Sequence, residues 1–127
     1  PDPVAAEAQG GRLSMRSIIE DAAQRIARPD RWCQGALARD KDGAEVSPRR
    51  RTAKQWDILG AVFKAARVEP DAEDGPHCGD VCAHIDLAAQ RLYKCPAETV
   101  NDVLGHAAVM DVLRLAWRTA GPRSGRR

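Results

Sequence analysis

The chain has 127 residues, 43% of them apolar, 4% aromatic and 30% charged, with a formal net charge of +2. That length suits one domain with a single core, the near balance of charge argues against a dedicated nucleic-acid binder, and no apolar run approaches the roughly 20 residues of a spanning helix. No basic-then-apolar leader opens the sequence, so a soluble cytoplasmic protein is expected.

Residues 1–13 lack apolar periodicity and read as a disordered arm, 14–119 as one globular domain, and 120–127 as a disordered basic tail. Met15, Ile18, Ile19, Ala22, Ala23 and Ile26 fall at the i, i+3, i+4, i+7 spacing of an amphipathic helix, with Ser14 or Ser17 as its cap and Pro29 as its end. After Trp32 and Gly35, the Asp42-Gly43 pair, flanked by Leu37, Arg39, Ala44 and Val46, predicts a short β-hairpin with positive φ at both central positions. Such a hairpin is marginal alone and must lie on helices, so Trp32 is expected to be largely buried against the helix that carries Trp56.

Ser47 to Arg51 form a basic loop, and Thr52-x-x-Gln55 reads as a capping box opening a second helix that reaches about Arg67. Gly60 inside that helix costs about 1 kcal/mol relative to alanine, and the close approach of another backbone is the expected compensation. An acidic, turn-rich stretch follows from Glu69 to Pro76; a third helix is predicted over about Asp80 to Leu92 and a last one over about Ala107 to Arg118. The predicted fold is α+β, mostly α: about four helices packed with one short β-hairpin around a thin, alanine-rich core whose bulky pieces are Trp32, Trp56, Phe63 and Trp117.

Three blocks stand out in order: Trp32-x-x-Gly35-Ala36-x-Ala38-Arg39-Asp40-x-x-Gly43, Trp56-x-x-x-Gly60-Ala61, and Asn101-Asp102 followed by His106. This pattern resembles a family of small bacterial proteins known only as a domain of unknown function, over roughly Met15 to Trp117. The chain departs from that pattern at Val100, where the family tends to carry Trp, and at Asp57, where it often carries Cys. The resemblance implies a fold, with Trp32, Gly35, Gly43, Trp56 and Gly60 as structural positions, and no activity.

Candidate sites are few. Arg39, Asp40, Asn101, Asp102 and His106 could bind a small ligand or perform acid–base chemistry, since histidine titrates near neutrality; a structural role, with Asn101 or Asp102 capping the last helix and Arg39 pairing with an acidic residue to pin the hairpin, explains them more simply. His77, Cys78, Cys82, His84 and Cys95 carry zinc-type ligands, but no Cys-x-x-Cys or knuckle spacing is present, so the cysteines are expected to be reduced and metal-free. Arg49, Arg50 and Arg51, with Arg123, Arg126 and Arg127, could meet phosphates, though a solvated loop and tail explain them more simply. The favoured function is a non-enzymatic interaction or regulatory module with a protein partner, a second copy in a homodimer being one such partner, and without a cofactor. The alternative is a small enzyme or ligand-binding protein built on the Arg/Asp/Asn/His group, and weak nucleic-acid contact comes third.

Overall fold

The computed structural model describes residues 13–70 and 76–121. The expected arm and tail, and most of the acidic stretch, lie outside these residues; at the inner edges of arm and tail, Leu13 and Ala120 pack against the core. Helix α1 spans Met15–Arg25, where Ser14 supplies the cap: its Oγ accepts from the Ser17 amide at 3.0 Å, satisfying one of the donors that a helix start leaves open. A 3-10 turn at Pro29–Arg31 leads to strand β1, Ala38–Arg39, and then to β2, Gln55–Trp56. Helix α2 is Ile58–Ala66, α3 is Pro76–Tyr93, and a short α4, Ala97–Thr99, runs into a π-helical turn at Val100–Leu104 before α5, His106–Thr119. Over the described residues the molecule is thus mostly helical with one short antiparallel strand pair, the α+β class that the sequence predicts.

Two expectations are corrected at the strands. The second helix does not open at Thr52, because Gln55 and Trp56 pair with Arg39 and Ala38 in β2; α2 begins only at Ile58, capped by Asp57, whose Oδ1 accepts from the Gly60 amide at 2.6 Å. Pairing between distant segments overrides a local capping box here. The Asp42-Gly43 turn does fold residues 44–46 back onto β1, through Asp40 N to Ala44 O at 2.9 Å and Val46 N to Ala38 O at 3.0 Å. It does so with positive φ at Gly43 alone, so the loop has three residues and a single left-handed glycine rather than two central residues of positive φ. Strand β1 therefore lies between residues 44–46 on one edge and 54–57 on the other.

The close approach expected at Gly60 is present. A Cβ there would overlap the Leu37 carbonyl oxygen and stand 2.7 Å from its carbon, while the Asp57 amide donates to that same oxygen at 3.1 Å. The strand end thus sits directly on the first turn of α2.

Helix α1 packs on α2 and α5, and α3 on α5 and α2. The core is made of Ile18 and Ile19 from α1 and Ile26 at its C-cap, Ile58 and Val62 from α2, Val81 and Ile85 from α3, and Val109, Val112 and Leu113 from α5. Of the four aromatics expected at its centre only Trp56 is buried, its indole N–H donating to Pro48 O at 2.9 Å. Trp32, Phe63 and Trp117 are partly buried at the margin. Trp117 is covered by the Arg16 guanidinium, 3.6 Å from the ring centre. Helix α2 ends at Arg67, which takes a left-handed conformation (φ 62, ψ 40) normally left to glycine; for an L side chain this costs about 1–2 kcal/mol.

Candidate functional site

Asn101, which the sequence offers as a cap of the last helix, does not cap α5, whose N-cap is Gly105, but is a fully buried clamp within the π turn. The backbone there closes through Gly105 N to Val100 O at 3.1 Å, a wider ring than an α-helix makes. The Asn101 Oδ1 accepts from the Trp32 indole at 2.7 Å and from the Ile58 amide at 2.9 Å. Its Nδ2 donates to Cys33 O at 3.1 Å and to Asp102 Oδ1 at 2.9 Å. An asparagine amide has two donors and an acceptor oxygen with two lone pairs, and here all four positions are filled. The Ile58 amide is one of the orphan donors at the start of α2, so Asn101 caps that helix from 43 residues away.

The same stretch is laced by its neighbours. Asp102 Oδ1 also accepts from the Gly35 amide at 3.1 Å, and Gln34 Nε2 donates to the carbonyls of Asn101 at 3.0 Å and Asp102 at 3.3 Å. Gly35 takes φ 79, and a Cβ there would crowd an Arg39 η-nitrogen at 3.3 Å, which is why glycine suits this turn. Arg39 donates to Gln34 O at 3.1 Å and to Gly43 O at 3.0 Å, tying turn to turn. His106 packs edge-on against Trp32, with ring centres 5.4 Å apart. Its Nε2 lies 2.7 Å from Ile26 O, so that nitrogen carries the proton and serves a carbonyl at the end of α1.

Trp32 is mostly buried, as expected, with its indole engaged by Asn101 and its ring meeting His106 at a T-shaped angle; its backbone bridges to Trp56, which is a strand residue rather than the helical one expected. Asn101, Asp102 and His106 thus meet around Trp32 and Gly35, with Arg39 joined through Gln34. Asp40 stays apart: its Oδ1 accepts from the amides of Asp42 and Ala44, both at 2.9 Å, and closes its own turn. Three clefts on the described surface, of about 540, 220 and 550 Å³, are lined by other residues.

Two groups beside the clamp were not singled out as candidates. Burial pushes the Cys33 thiol up to about 11, helped by the carboxylates of Asp57 and Asp102 and opposed by Arg39; a thiol so held is no nucleophile at neutral pH. Burial also pushes the Asp57 carboxyl up to about 7, against the pull of the Gly60 amide and with the carboxylates of Asp102 and Glu98 adding to it. An Asp directly before an apolar helical run is itself a capping signal, which would have marked Asp57 had the Thr52 box not been preferred.

The raised Asp57 value makes a pH prediction. Between about 4 and 7 the folded state holds a proton that the unfolded chain has lost, so this group's contribution to stability falls as pH rises through that window and levels off above it. Asp57→Asn keeps a capping oxygen without the buried charge. Relative to the wild type it should gain about 2–3 kcal/mol of stability from pH 5 to pH 8, the roughly two pKa units of the window that lie above pH 5. Urea unfolding of both proteins at the two pH values measures this, and a difference independent of pH would refute it.

The remaining candidates do not converge. Cys78 and Cys82 lie one turn apart on α3, and their mutual hydrogen bond holds the Cys78 thiol below its ordinary pKa and pushes Cys82 above. His84 turns to α5 instead, its Nε2 3.0 Å from Ala116 O and 2.9 Å from Thr119 Oγ1. The four cysteines are free, and among the described residues no group of three metal-type ligands comes together; the side chain of His77 lies outside them. Arg49 pairs with Glu69 at 3.7 Å, Arg50 and Arg51 are exposed in the turn, and Arg123, Arg126 and Arg127 lie outside the described residues. No described helix is long and apolar enough to cross a membrane.

Residues 12–119 match the model of a family described as "Family of unknown function (DUF6197)". No curated protein and no solved structure matches the chain.

Proposed function

The chain belongs to this family of unknown function, and on the geometry above we propose that it is a non-enzymatic interaction module that pairs with a protein, in the simplest case a second copy of itself. The observation that carries this reading is the saturation of Asn101, the residue on which the polar group centres: both its donors and both its acceptor positions are engaged inside the fold. Arg39 and Asp40 are likewise engaged with backbone groups of their own loop. Acid–base catalysis needs a group within reach of a substrate proton, whereas this set holds segments of the chain together.

A partner would cover apolar surface. Val103 and Leu104 project from the π turn at 72% and 47% exposure, and Leu87 and Leu92 from α3 at 64% and 43%. The thin core and these exposed side chains both favour pairing, because association removes apolar area from water. A bacterial cytoplasm is the setting we assign, in keeping with four free thiols.

Sedimentation velocity from low to high micromolar concentration tests the proposal. The weight-average mass should climb toward the dimer, and Val103→Asp combined with Leu87→Asp should return it to the monomer. A wild-type monomer at every concentration overturns self-pairing. Conversion of any compound in a metabolite extract, lost in Asp102→Asn or His106→Gln, overturns the non-enzymatic reading.

A further inference from the structure

We propose that the cavity bounded by α1, the turn after the hairpin and the end of α2 is a binding site for a small phosphorylated ligand. It has a volume of about 550 Å³ and is lined by Ser17, Asp21, Arg25, Arg49, Lys64 and Arg67, among others. That size falls within the range of small-molecule sites.

Charge is what distinguishes it. Four cations face one lining carboxylate, Asp21, which pairs with Arg25 at 3.3 Å. Glu69 reaches Arg49 from outside the lining at 3.7 Å. Lys64 and Arg67 have no ion-pair partner among the described residues, so among those residues the cavity has two more positive charges than negative ones even when Glu69 is included. Guanidinium groups offer planar, paired donors that match phosphate oxygens, and an ammonium adds a compact charge.

Arg67 supplies an independent indication. It occupies the left-handed position after α2 at which glycine is at ease. Of the two described non-glycine residues with left-handed φ, Arg67 and Lys94, Arg67 lines this basic cavity, and a local conformational conflict of that kind gathers at binding sites. The four cations come from three separated segments that only the fold assembles, which gives a bounded cavity rather than a basic stripe. With Asp21 and Glu69 at the cavity and a net charge of +2 for the whole chain, a duplex tracking across the surface fits less well than a compact anion. The site is separate from the Asn101 clamp and does not depend on whether the module pairs with itself.

Isothermal titration of the full chain with inorganic pyrophosphate, with ADP, and with a short DNA duplex tests the proposal. Pyrophosphate or ADP should bind saturably at one site per chain, and Lys64→Gln and Arg67→Gly should each weaken that binding roughly tenfold or more, the loss of a hydrogen bond to a charged group. Arg67→Gly also separates a lost site from a lost fold, because glycine suits φ 62 and the melting temperature should hold or rise. Absence of saturable binding by both small probes, binding indifferent to both substitutions, or binding of the duplex alone overturns the proposal.

Discussion

Gly60→Ala should destabilise the domain by about 3 kcal/mol or more, although the same change on an open helix surface stabilises by nearly 1 kcal/mol. The added methyl would occupy the place of the Leu37 carbonyl oxygen. The strand end could retreat only by giving up the bond from the Asp57 amide to that oxygen, 3.1 Å in the native fold, and with it the pairing of Ala38 with Trp56. Gly79→Ala is the matched control: it lies on α3 with nothing within 4 Å of the new Cβ, and should gain several tenths of a kcal/mol. Urea unfolding followed by circular dichroism reads both, and a neutral Gly60→Ala would mean that strand and helix do not meet there.

Asn101→Ala has the second large effect, a loss of about 3–5 kcal/mol. It strands the Ile58 amide and the Cys33 carbonyl in the interior and leaves the Trp32 indole to find water. A buried polar group left without its partner costs about 1–3 kcal/mol, and at least two are left here. Asn101→Asp keeps both acceptors but turns a carboxylate toward Asp102 and loses the donor to Cys33 O, so it should be weakest at neutral pH and partly recover in acid. The urea midpoint and a red shift of tryptophan emission on release of Trp32 measure the effect. A loss under about 1 kcal/mol for Asn101→Ala would show that the clamp is dispensable.

The clamp also marks the limit of what sequence reasoning reaches. The three blocks that carry the family resemblance do come together: Trp32 and Gly35 from the first bond to Asn101 and Asp102 of the third, and the amide of Ile58, just after Trp56, bonds to the same asparagine. Their residue types announced polar chemistry, however, and nothing in the spacing showed that the amide of Asn101 would face inward with every bond satisfied. Asp40, offered by its residue type as a member of the same polar group, closes its own turn instead, because its carboxylate is within reach of the amides of Asp42 and Ala44.

Helices α1, α3 and α5 follow from the 3.6-residue recurrence of Ile, Val, Leu and Ala, a serine cap at Ser14 or Ser17 from their position at the start of that pattern, and a close backbone approach at Gly60 from the conformational cost of a glycine in mid-helix. These are properties of neighbouring residues, so the sequence by itself determined them. The tertiary structure alone decided that Trp56 is a strand residue, that Asn101 caps a helix to which it is not attached, and that Arg25, Arg49, Lys64 and Arg67 share one cavity. A two-residue strand has too little local signal to declare itself. A hydrogen bond between residues 69 positions apart, such as that from Trp32 to Asn101, gains its strength only once the packed helices exclude water and fix both partners, and that condition belongs to the fold and to no single stretch of the chain.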